Sequence, residues 1–269
     1  KLGVFWHTQG SGKSYSMVML ARKIKHKCTG NFTFLIVTDR EDLDAQIYKN
    51  FLRTEFITDK DKVQPANSKQ LREELKTNKS ILFTLIHKFR YDKGKKYPVL
   101  SERDDIIVIV DEAYVDFGGH SAQELLSKYE NLLVVQTFSK SRSMAGMRIG
   151  YAMGSAELIK ALNDVKYSFN SYTMNRTSIL LGTASIEDDV YFKETVEKIV
   201  NTREWFKAEM KKLGFTFPDS KANFLFASHP KVPAKEIFEA AREKDIYVRY
   251  FDKPRINNYL RITIGTDEE

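Results

Sequence analysis

The chain has 269 residues, 42% hydrophobic and 29% charged, which is enough to bury a full core and is compatible with one large or two modest domains. No apolar run reaches the roughly 18 residues of a bilayer-spanning helix and no charged-apolar leader precedes the first motif, so a membrane protein is set aside and a cytoplasmic one is expected. The net charge of +7 is spread along the chain with only short clusters such as Lys93 to Lys96, a pattern that favours a solvated basic surface and leaves a nucleic-acid footprint as the alternative, and the single cysteine, Cys28, excludes an internal disulfide or a thiolate metal cluster.

The chain opens on a strand-like run, Gly3 to Trp6, and passes straight into His7-Thr8-Gln9-Gly10-Ser11-Gly12-Lys13-Ser14. A phosphate-binding loop needs glycines so that backbone N–H groups converge on the phosphates, a lysine for the terminal phosphates and a hydroxyl for a magnesium ion. Gly10, Ser11, Gly12, Lys13 and Ser14 supply these at the start of a helix expected from Lys13 to about Lys25, whose N-terminal dipole attracts anions. The motif implies ATP with magnesium, although His7 stands where the first glycine is usual.

Next come an apolar run from Phe32 to Val37, a helix from Glu41 to Leu52, a helix from Ser68 to Thr77, and apolar runs at Ile81 to Ile86 and Ile106 to Val110. Strands that are apolar throughout and separated by helices predict a mostly parallel sheet with helices on both faces, an α/β fold. Further strands are expected at Leu132 to Gln136 and Gly150 to Met153, then a helix from Glu157 to about Val165. Asp189 to Leu213 has the apolar spacing of one long helix, with Gly214 to end it. Strands near Phe224 to Ala227, Tyr247 to Arg249 and Leu260 to Ile264, around a helix from Ala234 to Lys244, predict a small α+β domain.

Two chemistries meet at Asp111-Glu112-Ala113-Tyr114. Read with the upstream loop, the strand end carries Asp111 for the magnesium ion, with Ser14 as its other ligand, and Glu112 beside the nucleotide. Read downstream, it belongs to a pyridoxal-phosphate site. That chemistry needs a reactive lysine, an acid that keeps the pyridine nitrogen protonated, and hydroxyl or cationic groups for the cofactor phosphate. Lys140 follows a strand in Thr137-Phe138-Ser139-Lys140, and Arg148 stands shortly beyond. His7, His26, His87, His120 and His229 form no ligand-spaced cluster.

The loop, Val37 to Gln46 and Ile107 to Ala113 together resemble the superfamily 2 motor domain of the type I restriction enzyme R subunit, over roughly residues 1 to 113. That resemblance implies that Asp111 holds the magnesium ion through water, that Glu112 orients the attacking water, and that DNA is a partner. Tyr114 departs from the family, which has histidine there, and the second motor lobe with its arginine finger does not follow, so nucleotide binding is expected without translocation. From about Val110 to the C-terminus, Asp111 to Phe117, Ser139-Lys140, Arg148-Ile149-Gly150 and Leu260 to Thr266 resemble class II fold-type-I aminotransferases, histidinol-phosphate aminotransferase above all. This second resemblance implies that Lys140 binds the cofactor covalently, Asp111 pairs with the pyridine nitrogen, Tyr114 bonds the ring oxygen, and Ser139, Arg148 and Thr137 hold the cofactor phosphate. It further implies that Arg261 binds the substrate carboxylate, Arg249 a substrate phosphate with Asn223 nearby, and that two copies form a homodimer around a small amino-acid or phosphorylated substrate.

Together these readings describe a chimera joined at Val-Asp-Glu-Ala. Residues 1–110 are expected to be a phosphate-loop ATPase fragment, residues 111–170 part of a cofactor-binding large domain, and residues 171–269 linking helices and a small C-terminal domain. The leading expectation is an aminotransferase-like protein, impaired because the family's N-terminal part has no counterpart in residues 1–110. The alternatives are an ATP-binding fragment of a DNA translocase and an inactive fusion. Because the two parent sheets differ in strand order, one continuous sheet requires a new arrangement, and failing that, exposed apolar edges predict aggregation.

Overall fold

The computed structural model describes residues 2–8, 13–27, 30–38, 41–58, 61, 63–89 and 99–269. In chain order the elements are β1 (Leu2–Thr8), α1 (Lys13–Lys27), β2 (Thr33–Thr38), α2 (Glu41–Arg53), α3 (Ser68–Lys76), β3 (Ile81–Leu85), β4 (Ile106–Asp111), β5 (Leu132–Thr137), β6 (Ile149–Ser155), α4 (Ala156–Phe169), α5 (Arg176–Glu187), α6 (Asp189–Lys212), β7 (Phe224–Ala227), α7 (Ala234–Arg242), β8 (Arg249–Tyr250) and β9 (Leu260–Thr263). They divide into two compact units. The first comprises Lys1–Ala113, Ser121–Ser139 and Met144–Gly182, and the second Tyr114–His120, Lys140–Ser143 and Thr183–Glu269.

The first unit is built on one six-stranded sheet in the order β1-β6-β5-β4-β2-β3. β3, β2, β4 and β5 run parallel, while β6 is antiparallel to both β5 and β1. The central strands are aliphatic at nearly every position because both faces are covered. Alternate side chains divide between two layers, as the two-residue strand repeat requires. Phe34, Ile36, Ile81, Phe83, Ile109, Leu133 and Val135 pack with Val18 and Ile24 of α1, Ile47 and Phe51 of α2, and Leu158 and Leu162 of α4. Leu35, Val37 and Leu82 face the other way, onto Leu71 and Leu75 of α3.

Local signals set several boundaries. The Asn67 side chain accepts from the Gln70 N–H to open α3, and that of Ser155 accepts from the Leu158 N–H to open α4. The expected conflict of strand orders does not arise, because residues before and after position 110 share the sheet through the β4–β5 and β1–β6 ladders. One detail of the parallel-sheet expectation is corrected: β1 is an edge strand with an antiparallel neighbour that lies about 150 residues along the chain, Leu2 opposite Ser155.

The second unit contains a three-stranded antiparallel sheet, β7-β9-β8, and the long helix α6. Leu225, Ala227 and Ile264 bury one side of this sheet with Met210, Phe206 and Ile199 of α6. Asp188 caps the helix start by accepting from the Tyr191 N–H at 3.1 Å. At its end Gly214 takes φ +87° while the Phe215 N–H reaches back to the Met210 carbonyl at 3.0 Å, the glycine-ended stop expected from the sequence. The third strand pairs at Arg249–Tyr250 and so begins two residues later than the run Tyr247 to Arg249 suggests.

Candidate functional site

In the first unit, the candidate residues gather at the carboxyl ends of two neighbouring parallel strands, the edge where open α/β sheets present ligand-binding groups. Asp111 ends β4 and is the ladder partner of Val135, two residues before Thr137 at the end of β5. The Asp111 carboxylate is buried and accepts from the Ala113 N–H at 3.2 Å. The Thr137 hydroxyl accepts from the Ser139 N–H at 3.2 Å and donates to the Ile149 carbonyl at 3.3 Å, which folds the chain after β5 into a tight, buried, hydroxyl-bearing turn. Arg148 is exposed, in a left-handed backbone conformation with φ 58°, and its Nη1 donates to the Ala145 carbonyl at 2.8 Å.

Glu112 points into a different environment from its neighbour, as side-chain alternation along a strand dictates. Its carboxylate accepts from the Ser121 hydroxyl at 2.6 Å, the Ala122 N–H at 2.6 Å and the Gln136 amide at 2.9 Å, and the Gln136 carbonyl oxygen accepts from the Tyr151 hydroxyl at 2.5 Å. Three internal donors therefore occupy the group that the ATPase reading assigned to the attacking water. The structure gives Glu112 a tying role between β4, β5 and the turn that begins at Ser121, a role the sequence reading did not include.

The nucleotide assignments fare differently. Gly10, Ser11 and Gly12 lie outside the described residues, and Lys13 and Ser14 begin α1. β6 and β5 stand between β1 and β4, so the strand that leads to the phosphate loop is three ladder spacings, about 14 Å, from the strand of Asp111. The sheet order thus does not bring the two strands together as neighbours, and it lends nothing to a magnesium ion shared by Ser14 and Asp111.

In the second unit, three assigned groups, Lys140, Tyr114 and Arg261, are linked in a continuous chain of ring contacts through Phe224. The Lys140 ammonium lies 5.7 Å from the centre of the Tyr114 ring, and Tyr114 meets Phe224 edge to face with centres 5.5 Å apart. The Arg261 guanidinium stands 5.3 Å from the centre of the same Phe224 ring. Asn223 directly precedes Phe224, and its carbonyl accepts from the Ile264 N–H at 2.9 Å. Arg249 is the ladder partner of Arg261 and lies 5.2 Å from the centre of the Phe251 ring. The Ser141 hydroxyl donates to the Asp116 carboxylate, tying the Lys140 segment to the segment of Tyr114.

Phe224 and Arg203 are not singled out by the sequence reading. Phe224 carries no reactive group and reads as an ordinary strand aromatic. Arg203 has a legible signal: it falls on the same stripe of α6 as Ile199, Phe206 and Met210, a cation on an apolar face.

The fold just described is that of fold-type-I aminotransferases. A putative histidinol-phosphate aminotransferase from Erwinia carotovora atroseptica superposes with a TM-score of 0.71 over 98% of this chain and 77% of that one, at 19% identity. The histidinol-phosphate aminotransferase from Sinorhizobium meliloti, solved in complex with pyridoxal-5'-phosphate, gives 0.70 over 98% of this chain and 72% of that one, also at 19%. By sequence, the histidinol-phosphate aminotransferase of Brachyspira hyodysenteriae is 55% identical over 172 residues, 64% of this chain and 49% of that protein. That of Lactococcus lactis is 53% identical over 171 residues, 64% of this chain and 48% of that protein. Residues 98–269 match the model of aminotransferase class I and II, and the chain belongs to that family. It spans about half the length of the curated relatives it matches. Residues 1–137 also match the model of the SWI2/SNF2 ATPase, and the overlap of the two matches contains Asp111 to Tyr114.

Proposed function

We propose that this chain binds pyridoxal 5'-phosphate covalently at Lys140 and serves amino transfer of the histidinol-phosphate aminotransferase type, between an amino acid and a 2-oxo acid or keto phosphate. The observation that carries this reading is the contact series Lys140, Tyr114, Phe224, Arg261 within one unit, which brings together the amine, the phenol and the guanidinium to which the resemblance gives roles. The donor set fits the cofactor: a buried carboxylate at a strand end for a pyridinium nitrogen, and the Ser139 hydroxyl for a phosphate, in the turn that the Thr137 hydroxyl shapes. Pyridoxal phosphate, when bound, supplies the electron sink for the substrate carbon that loses its proton.

The chain's own residues divide the remaining work. The Lys140 amine would hold the cofactor covalently and would be the group that moves the substrate proton. Asp111, as a carboxylate, favours the protonated ring nitrogen. Tyr114 would bond the ring oxygen, and Ser139 and Arg148 would hold the phosphate, with Thr137 assisting by shaping the turn that carries Ser139. Arg261 takes the substrate carboxylate and Arg249 a substrate phosphate, with Asn223 beside them. Two arginines directly opposite each other on a ladder repel. An anionic group near them, the carboxylate of an amino acid or the phosphate of a keto phosphate, offsets that repulsion. A homodimer belongs to the same proposal and is supported by the exposed Ile179, Leu180 and Leu181 of α5.

The test is a visible absorbance spectrum of the protein with pyridoxal phosphate, followed by borohydride reduction and peptide mass mapping. A band trapped at Lys140 and lost in Lys140→Ala is expected, and indiscriminate lysine labelling would overturn the reading. A second reading, nucleotide binding through Gly10 to Ser14, rests on the SWI2/SNF2 ATPase match. It expects ATP to be retained by the unvaried chain and lost on Lys13→Ala, and no ATP retention at all would sink it.

A further inference from the structure

Arg203 is the largest side chain among the described residues to be almost wholly buried, and a buried guanidinium is tolerated only when its charge and its N–H groups are matched. Its Nη1 donates to two backbone carbonyls from segments far apart in sequence, Phe117 at 2.8 Å and Ala222 at 3.1 Å. Its Nε and Nη2 lie 2.9 Å from one Glu204 oxygen. The first carbonyl belongs to the short turn that follows Tyr114, where the Phe117 N–H also donates to the Tyr114 carbonyl. The second directly precedes Asn223 and Phe224. One planar group therefore pins the two segments whose aromatic rings, Tyr114 and Phe224, meet edge to face.

The surroundings reinforce this clamp. Gly118 holds φ +113°, and a Cβ there would lie 3.8 Å from Arg203 Nη2. One helical turn on, the Lys207 ammonium donates to Glu204 at 2.9 Å, Asp219 at 2.7 Å and the Ser220 carbonyl at 3.0 Å. The Ser220 hydroxyl in turn donates to the Phe224 carbonyl at 2.6 Å. The approach to β7 is thus fixed from α6 by two successive cations.

We propose that Arg203 is a positioning residue: by holding the Phe117 and Ala222 carbonyls together it sets Tyr114 against Phe224, and so places the Tyr114 hydroxyl and the Lys140 amine for the cofactor. The first half of this inference concerns the protein alone, and the second rests on the proposed pyridoxal-phosphate reading. Lysine is a poor substitute, because a single ammonium on a flexible stem lacks the planar set of donors that reaches both carbonyls and Glu204.

The experiment combines amide hydrogen exchange of the full chain with cofactor titration, in the unvaried protein, in Arg203→Lys and in Lys212→Met as an exposed control on the same helix. In the unvaried protein the Arg203 guanidinium protons are expected to exchange slowly; exchange as fast as that of a solvated arginine overturns the proposal without any variant. In Arg203→Lys the Phe117, Gly119 and Ile264 amides are expected to exchange about tenfold or more faster, with β2 and β4 unchanged, because hydrogen bonds from a charged donor are lost. The same variant is expected to bind pyridoxal phosphate about tenfold more weakly, still at Lys140, with a moved pH midpoint of the absorbance band. Faster exchange with an unaltered band and affinity reduces Arg203 to a structural residue and overturns its positioning role. If the unvaried protein captures no cofactor at Lys140, the proposed function falls, and the setting of Tyr114 against Phe224 by Arg203 is then decided by the exchange data alone.

Discussion

Glu112 is a buried acid held by the fold itself, next to the Asp111 proposed for the cofactor. Its carboxylate is buried and accepts from Ser121, Ala122 and Gln136. Replacing it by alanine strands those donors, and the expected cost is about 2–3 kcal/mol of stability, read as a lower urea midpoint. Glu124 in the neighbouring turn is exposed, and Glu124→Ala is expected to stay within about 0.5 kcal/mol. Alternation along β4 makes it legible in the sequence that Asp111 and Glu112 face opposite ways. Which of them faces a ligand is not legible, since the answer depends on Gln136 and Ser121, which only the folded sheet brings alongside.

Helix α6 illustrates a longer-range arrangement. Its length and its glycine stop are readable from the apolar spacing, whereas the cations on its buried stripe gain meaning only from the loops they reach. The hydrogen bond from Lys207 holds the Asp219 carboxyl below the ordinary carboxylate range against a smaller opposing effect of burial. Burial pushes Glu204 up, but hydrogen bonds from Lys207 and Arg203 more than offset it, so its pKa too is lowered. A carboxylate with a depressed folded pKa adds stability that is fully present above the unfolded value of about 4 and is lost as pH falls through the folded value. Lys207→Met is therefore expected to be less stable than the unvaried chain at neutral pH. The gap should close as the pH falls below about 4 in denaturant titrations at a series of pH values; a gap independent of pH would contradict this account. Helix α5 is absent from the sequence expectation, since Ile179, Leu180 and Leu181 in a row carry no single-faced repeat.

For the molecule as a whole, the proposed cofactor capture at Lys140 would link binding to stability. A ligand that binds only the folded form at 100 times its dissociation constant adds about 2.7 kcal/mol, so pyridoxal phosphate is expected to raise the melting temperature of the unvaried chain and not of Lys140→Ala. Equal shifts in both would place the ligand elsewhere. No helix among the described residues is long and apolar enough to cross a membrane.

What could be read from the chain was whatever depends on neighbours in sequence: aliphatic strands, the glycine-ended long helix, and the turn that runs from Thr137 to Ser139. These follow from short-range sterics, hydrogen bonding and apolar periodicity, and the resemblance of the last part to aminotransferases rests on such local strings. The pairing of β1 with β6, the tying of Glu112, and the meeting of Tyr114, Phe224 and Arg261 were decided only on folding. They join segments up to about 150 residues apart, and such contacts are selected by which apolar faces and buried polar groups can be satisfied at the same time, a condition that no single stretch of sequence contains.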